Sequence, residues 1–353
     1  MGTESIEASF LSIFALISFF IFLIISKYSH KIRGGALLDK DFSKPQAFHD
    51  HPVTRSGGIA AVIALSFFFV IYYLLYSKIL YDYIFISYSV FLVGFLDDLK
   101  INIKPLKRLS VMIFLLFISI YFLPIKILNI DIPILTSLMS NQIFSSIFVL
   151  LCFLFVINGA NLIDGFNGLL TINLIIINII LTYININNEN LEFSILLISQ
   201  IIILLSFLLF NFPNAKIFLG DSGAYTMGAL TGLNTIITNN LNPKISSFFF
   251  CTLLFYLFFE VFFSFFRKLF QKKSPIYPDD KHLHMLSFYK ISNIYGKNKS
   301  NYLNSVVINL LYFTLIIPGL YLLNDPQLSR YWFFILLLIY LIIYSRLYRL
   351  TKN

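Results

Sequence analysis

The chain is a succession of long apolar runs separated by short polar segments. A helix needs about 20 apolar residues to cross a bilayer, and the pattern predicts eleven spans, of which the runs at 83–97 and 143–158 are short. The spans lie near residues 8–27, 57–77, 83–97, 109–124, 143–158, 169–184, 194–211, 222–238, 245–266, 302–323 and 331–346. The alternating pattern of a membrane barrel is absent, so helices are the expected spanning elements. We therefore predict an all-α membrane bundle of ten or eleven transmembrane helices, with residues 1–353 forming a single domain.

The first apolar run has roughly the length of a secretory signal, but its flanks differ from one. Glu4 and Glu7 precede it where a signal carries positive charge, and no small-residue cleavage site follows. We therefore expect a true first span.

Basic residues are distributed unevenly between the two alternating sets of predicted loops. One set, together with the C-terminus, holds 22 of the 26 Lys and Arg residues. Because loops rich in Lys and Arg stay in the cytoplasm, the N-terminus is predicted outside and the C-terminus inside. Residues 267–301 then form the largest cytoplasmic loop.

Composition agrees with a membrane protein. Hydrophobic residues make up 58% of the 353 residues and charged residues 12%, against about 45–50% and 25% in soluble domains. The net charge of +9 is explained by loops that set topology, so nucleic acid is not an expected partner. Cys152 and Cys251 lie in apolar runs and are interpreted as packing residues.

Five polar clusters fall on the predicted inner side, and the first is basic. Residues 44–58 contain Lys44, His49 and Arg55 and end in two glycines at a predicted helix start. Free backbone amides at such a start favour anions. An ordinary basic loop with a glycine cap is the alternative.

The second cluster is the carboxylate pair Asp97 and Asp98 at the inner end of a predicted span. Adjacent carboxylates repel one another and are costly near a bilayer. A cation shared with a substrate phosphate removes both costs, and magnesium favours such a site. The alternative is a solvated pair balanced by Lys100.

The third cluster, residues 158–168, carries Asn161, Asp164 and Asn167 between glycines. Irregular polar backbone at a membrane face usually lines a polar cavity. Because Asn, Asp and Gly are also turn residues, a tight turn is the alternative.

The fourth and fifth clusters lie at 211–223 and 274–284. Asp221 in the fourth precedes a predicted helix, so a cap and a functional carboxylate are equally favoured. His282 and His284 in the fifth are predicted to contact phosphate rather than zinc, because zinc normally needs four ligands.

Glu260 stands apart from the five clusters because it lies deep in the ninth predicted span. An intramembrane carboxylate is a functional hypothesis by default. A structural ion pair with Arg267 or with a loop cation is the alternative.

Taken in order, the clusters resemble the polyprenyl-phosphate N-acetylhexosamine-1-phosphate transferases, the family of the bacterial MraY and WecA enzymes. The similarity runs from about Lys44 to His284. It is carried by the motifs Pro-x-x-Arg-x-Gly-Gly, Phe-Leu-Asp-Asp, Asn-Leu-Ile-Asp-Gly, Phe-Leu-Gly-Asp-Ser-Gly and Asp-x-x-His-x-His. Each motif is weak alone, and their order on one side of the membrane makes them specific.

The resemblance implies a magnesium-dependent transfer, in which manganese could replace magnesium. UDP-N-acetylhexosamine would give its sugar-1-phosphate to undecaprenyl phosphate, releasing UMP, as the first membrane step toward O-antigen, capsule or wall polymer. The enzyme would lie in the bacterial inner membrane with its site facing the cytoplasm. Dimers occur in the family, so a homodimer is included in the expectation.

The resemblance also implies roles for individual residues. The implied catalytic residues are Asp97, Asp98, Asp164, His282 and His284. The implied substrate-binding residues are Lys44, His49, Arg55, Asn161, Asn167, Asn211 and Phe218, and the implied metal ligands are Asp98 and Asp221. Two positions depart from the family pattern: Asn167 stands where many members have Asp, and Met285 where many have a third His.

Two other functions fit an inner-face polar site less well. An aspartate-rich intramembrane prenyltransferase should show D-x-x-x-D motifs, whereas Ile101 and Asn102 occupy the relevant spacings after Asp97 and Asp98. A transporter should show paired polar breaks near the bilayer midplane, whereas these breaks lie at one face.

Overall fold

The computed structural model describes residues 3–40, 52–101, 103–123, 125–275 and 279–352. These ranges contain fourteen α-helices: α1 (Thr3–Tyr28), α2 (Gly57–Tyr76), α3 (Tyr81–Asp98), α4 (Pro105–Phe122), α5 (Pro133–Leu138), α6 (Gln142–Ile163), α7 (Leu169–Asn187), α8 (Leu191–Asn211), α9 (Gly220–Leu241), α10 (Ser247–Leu253), α11 (Phe255–Phe270), α12 (Leu283–Tyr295), α13 (Lys297–Leu322) and α14 (Pro326–Lys352). A 3₁₀-helix (Ser29–Gly34) follows α1, and then come the antiparallel strands β1 (Leu38–Asp39) and β2 (Val53–Thr54).

Local sequence signals explain several helix starts. Proline stands in the first turn of α4 and α5, where its missing N–H removes no helical hydrogen bond. Asn141 caps α6, because its side chain accepts a hydrogen bond of 3.0 Å from the backbone N–H of Phe144.

Each of the eleven predicted spans coincides with one of these helices or with the pair α10 and α11, which confirms the all-α membrane bundle. Eight helices in the described ranges are long and apolar enough to cross a membrane. Helices α10 and α11 meet at a bend of 75°, and they add a ninth span if together they cross the membrane once. The predicted ten or eleven spans also include α3 and α9, which are more polar. The exact number therefore stays a prediction.

Helix α9 lies at the centre of the bundle. Of its 22 residues, 18 are buried, and it packs against α2, α3, α6 and α7. Small residues give it a narrow surface that lets neighbouring backbones approach closely. At Gly94 of α3, an added Cβ would lie 2.5 Å from backbone atoms of Ser222, so this crossing requires glycine.

The segment 267–301, predicted as the largest cytoplasmic loop, is partly helical. It contains the end of α11, all of α12 and the start of α13. Helix α12 packs against α13 and α14, so the last two long helices of the chain support this segment.

Candidate active site

The polar ends of α3, α6 and α9 meet at one end of the bundle. Asp98, the last residue of α3, accepts hydrogen bonds from the backbone N–H groups of Asp221 (2.9 Å) and Ser222 (3.0 Å). It also accepts one from Ser222 Oγ at 2.6 Å. Asp98 is fully buried, so its carboxylate caps the start of α9 from a different helix.

Gly220 makes this contact possible. Its φ of +75° is a left-handed conformation that glycine adopts without strain. A Cβ at this position would lie 2.7 Å from a carboxylate oxygen of Asp98. The glycine of the Gly-Asp-Ser-Gly motif therefore serves both the turn and the close approach.

Asp97 and Asp221 are joined by a cation. Arg108 Nη1, from the first turn of α4, lies 2.5 Å from Asp97 Oδ2 and 3.0 Å from Asp221 Oδ2. The amide of Asn161 donates a hydrogen bond of 3.0 Å to the other oxygen of Asp221. Residues that are far apart in sequence thus form one cluster, as the alternation of spans predicted for Asp97, Asn161 and Asp221.

The cluster has the oxygen donors that magnesium prefers. Asp97 and Asp221 are partly exposed, with side-chain exposures of 28% and 18%. Magnesium usually takes one or two carboxylates and completes its shell with water and phosphate oxygens. Within the described ranges, no group of three or more His, Cys, Asp or Glu side chains could hold a metal. Two carboxylates therefore fit magnesium when water and phosphate oxygens complete its shell.

A polar cavity opens beside this cluster. Its lining includes seven of the predicted site residues: Arg55, Asn161, Asp164, Asn167, Asn211, Phe218 and Asp221. Lys44 and His49, also predicted to bind substrate, lie outside the described residues.

Arg55 is held in the cavity wall by Asp39. Its Nε and Nη2 donate to Asp39 Oδ2 at 3.0 and 2.6 Å, and Nη1 lies 3.9 Å from Asp98 Oδ1. Burial opposes the charge on Arg55, but Asp221, Asp39 and Asp98 raise its pKa above the ordinary value. Arg55 is therefore a fixed cation, suited to an anionic ligand.

The strands place Arg55. Thr54 forms a parallel bridge with Ile217, and the carbonyl of Thr54 accepts a hydrogen bond of 2.8 Å from Phe218 N–H. The N–H groups of Gly57 and Gly58 donate to the carbonyls of Phe218 and Leu219. These amides were expected to be free for anions, and that expectation is wrong because they join α2 to the loop before α9.

Asp164 is the least supported carboxylate of the cavity. It follows α6, and among the described residues no hydrogen bond or ion pair reaches its carboxylate. Burial, followed by the negative charges of Asp221 and Asp98, raises its pKa well above the usual value. A carboxyl group without a protein partner in a polar cavity is available to a ligand.

Two of the three asparagines that line the cavity, Asn167 and Asn211, mainly organise its backbone. Asn211 Oδ1 accepts from Gly168 N–H at 2.7 Å, and its Nδ2 donates to the carbonyl of Ile217 at 3.0 Å. Asn167 Nδ2 donates to the carbonyl of Pro213 at 2.8 Å. The geometry gives both residues a structural role in addition to the predicted one.

His282 and His284 do not line this cavity as far as the structure describes it. His282 is 1% exposed and His284 is fully buried. The ring of His284 meets the edge of Phe166, a cavity-lining residue, with centroids 5.8 Å apart. Burial lowers the pKa of His284 to about 3, so this imidazole is neutral at physiological pH.

Comparisons with known proteins match the part of the chain that contains the carboxylate cluster. The family model described as glycosyl transferase family 4 matches residues 80–239. The phospho-N-acetylmuramoyl-pentapeptide-transferase of Dictyoglomus turgidum is 31% identical over 241 residues, which cover 63% of this chain and 73% of the relative. The chain belongs to this family. The resemblance inferred from the motifs is thereby confirmed.

Two further relatives of this glycosyl transferase family 4 protein are named for different transferred groups. The undecaprenyl-phosphate alpha-N-acetylglucosaminyl 1-phosphate transferase of Thermotoga maritima is 29% identical over 280 residues, covering 78% of this chain and 80% of the relative. The phospho-N-acetylmuramoyl-pentapeptide-transferase of Streptococcus thermophilus is 29% identical over 227 residues, covering 60% and 66%. Similarity alone therefore does not distinguish between sugars.

The region matched by the family model includes the three carboxylates of the cluster but not Arg55 or His282. Residues 80–239 contain Asp97, Asp98 and Asp221, whereas Arg55 precedes the matched region and His282 follows it.

Three residues of the site were not predicted from sequence. Arg108 was counted only as a topology signal, Asp39 was not singled out, and Asn301, which accepts a hydrogen bond of 2.8 Å from Asn167 N–H, lay in a predicted loop. Only Arg108 carried a usable signal, because two neighbouring carboxylates beside a bilayer require a nearby cation.

Proposed function

We propose that this protein transfers N-acetylhexosamine-1-phosphate from a UDP-sugar to undecaprenyl phosphate and releases UMP. The observation that carries the proposal is the polar cavity lined by Arg55 and Asp221 at the ends of membrane helices, beside which Arg108 joins Asp97 to Asp221. The names of the relatives support the reaction class, since one acts on undecaprenyl phosphate and transfers an N-acetylglucosaminyl 1-phosphate group.

The position of the cavity fits one water-soluble and one lipid substrate. A lipid phosphate lies at the headgroup level of the membrane, where helices end, while a nucleotide sugar arrives from water. The distribution of Lys and Arg supports a cytoplasmic site in a bacterial inner membrane.

Arg55 would bind the diphosphate. Its guanidinium is fixed by Asp39, so little side-chain entropy is lost when it binds an anion. Asn167 and Asp164 would face the sugar or the nucleotide, because both line the same cavity.

Asp97 and Asp221 would hold magnesium, or manganese in its place. The metal would neutralise charge on the diphosphate and on the departing UMP. Asp98 was predicted as a metal ligand with Asp221, but it is fully buried and its oxygens accept three hydrogen bonds from the start of α9. Asp97 and Asp221 are partly exposed, and a metal ion would replace Arg108 between them. We therefore propose that Asp97 replaces Asp98 as ligand and that Asp98 fixes the backbone of Asp221.

Direct transfer accounts for the chemistry without a covalent enzyme intermediate. An oxygen of the lipid phosphate attacks the sugar-side phosphorus of the UDP-sugar, the bond to the bridging oxygen breaks, and UMP leaves with that electron pair. Phosphoryl transfer depends mainly on positioning and charge neutralisation. The lipid phosphate is already an anion near neutral pH, so a general base is optional.

The product would be a polyprenyl diphosphate sugar, the first lipid-linked sugar of a cell-surface polysaccharide such as O-antigen, capsule or wall polymer. The relatives name an N-acetylglucosaminyl group and an N-acetylmuramoyl-pentapeptide. A 2-acetamido sugar is the feature that these substrates share.

The test is release of UMP by purified protein with undecaprenyl phosphate and a panel of UDP-sugars, with magnesium or with EDTA. We expect activity with at least one UDP-N-acetylhexosamine, loss in EDTA, and loss in Asp97→Asn. Asp82→Asn is the matched control, because Asp82 lies at the opposite end of α3. Absence of UMP with every sugar would contradict the proposal, and a phosphorylated aspartate in quenched protein would contradict direct transfer.

A further inference from the structure

Glu260 is a buried carboxylate that contacts the segment carrying the two histidines, residues 282–284. It lies on α11 and is 1% exposed. Its Oε1 is 3.0 Å from His282 Nδ1 and accepts a hydrogen bond of 3.1 Å from Leu283 N–H. An ionised carboxylate can only accept, so Nδ1 carries the proton of the first bond. Glu260 thus fixes both the imidazole and the backbone beside it.

The last long helix orients Glu260 in turn. Tyr340 of α14 donates a hydrogen bond of 2.6 Å to Glu260 Oε2. Tyr344, one turn further on, donates to the carbonyl of Lys281 at 3.0 Å. The ammonium of Lys281 lies 5.8 Å from the ring centre of Tyr348. Residues spaced by four share one face of a helix, so one face of α14 contacts the segment before α12.

A second carboxylate reaches the other side of the same imidazole. Asp279 Oδ1 lies 3.3 Å from His282 Nε2. Arg267 holds Asp279 through two hydrogen bonds, of 2.7 and 3.1 Å. Both ring nitrogens therefore have a carboxylate neighbour, which leaves the ring plane of His282 little freedom.

The held segment adjoins the candidate active site. The rings of His282 and His284 are stacked with centroids 5.5 Å apart, and His284 meets Phe166 of the cavity wall. Glu260 and Tyr340 lie outside the region matched by the family model.

We propose that Glu260 and Tyr340 are positioning residues for the transfer reaction, which act by fixing the imidazole of His282. The inference rests on the proposed function, because His282 adjoins the cavity through His284 and Phe166 and affects turnover only if that cavity carries out the transfer. It makes the last helix of the chain part of the catalytic apparatus without placing any of its residues against the substrate.

Kinetics give the first test. Partners that orient metal-ligating imidazoles contribute about 10- to 100-fold, and we expect Glu260→Gln to lower kcat by a similar factor. Tyr340→Phe removes one hydrogen bond to a charged group and should lower kcat by roughly 10-fold. KM for the UDP-sugar should change by less than about twofold, because neither residue touches the nucleotide cavity. Tyr312→Phe is the matched control: Tyr312 is buried, and its hydroxyl donates a hydrogen bond to the carbonyl of Leu253.

A double-mutant cycle separates positioning from general stability. In a His282→Gln background, Glu260→Gln should cause no further loss of kcat, because the group it orients is gone. If Glu260→Gln lowers kcat by the same factor with and without His282, or changes KM alone, the inference is overturned.

Chemical labelling tests the same geometry without turnover. Diethyl pyrocarbonate modifies accessible imidazoles, and His30 is an exposed internal reference. At fixed pH, His282 should be labelled slowly in the wild type and in Tyr312→Phe, and several-fold faster in Glu260→Gln and Tyr340→Phe. Equal, slow labelling of His282 in all four proteins would overturn the inference. If the wild type releases no UMP with any sugar, the proposed function fails, and labelling still decides whether Glu260 and Tyr340 hold His282.

Discussion

The carboxylate of Asp98 caps the helix that begins beside Ser222. It accepts both the backbone N–H and the hydroxyl of Ser222, at 3.0 and 2.6 Å. The neighbouring residues of the two helices, Asp97 and Asp221, thereby face the same cation, Arg108. Adjacent aspartates in one motif thus have different tasks: Asp98 joins two helices, and Asp97 remains partly exposed.

Asp98→Asn should therefore destabilise the protein, whereas Asp97→Asn should not. An Asn amide would place a donor against the N–H groups of α9, and losing bonds to a charged acceptor costs about 1.5–3 kcal/mol each. The thermal midpoint in detergent should fall clearly for Asp98→Asn and stay near the wild type for Asp97→Asn, although both variants lose activity. A wild-type midpoint for Asp98→Asn would contradict the capping role.

Arg55→Gln should weaken binding of the nucleotide sugar. The side chain is a fixed cation in the cavity, and a charged hydrogen bond of 1.5–3 kcal/mol corresponds to a roughly 10- to 100-fold higher KM. Initial rates against UDP-sugar concentration measure this effect. Lys100→Gln is the control: Lys100 is a nearby cation that bonds to the carbonyl of Leu38 and does not line the cavity where the structure describes it. An unchanged KM for Arg55→Gln would show that the diphosphate binds elsewhere.

Much of the fold was predictable because a bilayer imposes length and polarity on each helix. Every predicted span corresponds to a helix or to the bent pair. The meeting of Asp97, Asn161 and Asp221 was also predictable, because alternating spans place their motifs on one side. The central position of α9 was not predictable. Its Gly, Thr and Asn residues could equally have faced water, and only the neighbouring helices show that they form packing surfaces.

Side-chain partners that lie far apart in sequence were the least predictable part of the site. Glu260 was expected to be functional or to pair with Arg267 or a loop cation, and the structure pairs it with His282 before α12 and with Tyr340 of α14. Spacing within one helix could indicate Arg267 but not a tyrosine 80 residues away. The resemblance could name Asp98 as important without showing that it acts on backbone amides.

Asp164→Asn should stabilise the protein in a pH-dependent way. Burial and neighbouring carboxylates raise the pKa of Asp164 above its usual value, so the folded state holds this proton more tightly than the unfolded state. As pH rises above the usual pKa of an aspartate, Asp164 ionises readily in the unfolded chain but not in the folded one. The free energy of unfolding therefore falls until pH reaches the raised pKa of the folded state. The thermal midpoint of Asp164→Asn should exceed the wild type at neutral pH, and the gain should disappear near pH 4.

The solvent-exposed Asp280 provides the control for this measurement. Asp280→Asn should shift the midpoint little and by the same amount at each pH. A gain for Asp164→Asn that grows as pH falls would have the wrong sign and would refute the assigned shift.

Asn234→Leu should destabilise the bundle without altering the active site. Asn234 Nδ2 donates to Asn178 Oδ1 at 2.8 Å and to Gln200 Oε1 at 2.7 Å, and its Oδ1 accepts from Tyr83 at 2.7 Å. All four residues are buried. Interhelical hydrogen bonds in membranes contribute about 0.6 kcal/mol each. Losing Asn234 removes a partner from polar atoms on three side chains, so a loss of roughly 2 kcal/mol is expected.

Thermal unfolding in detergent measures this loss, and Asn188→Ala is the control because Asn188 is exposed and bonds to a carbonyl of its own helix. The kcat per folded molecule should stay near the wild type in both variants, since the network lies on α3, α7, α8 and α9 away from their ends at the cavity. If Asn234→Leu lowered kcat at a temperature where it remains folded, this network would have to influence the carboxylate cluster through α9, and a purely structural role would be wrong.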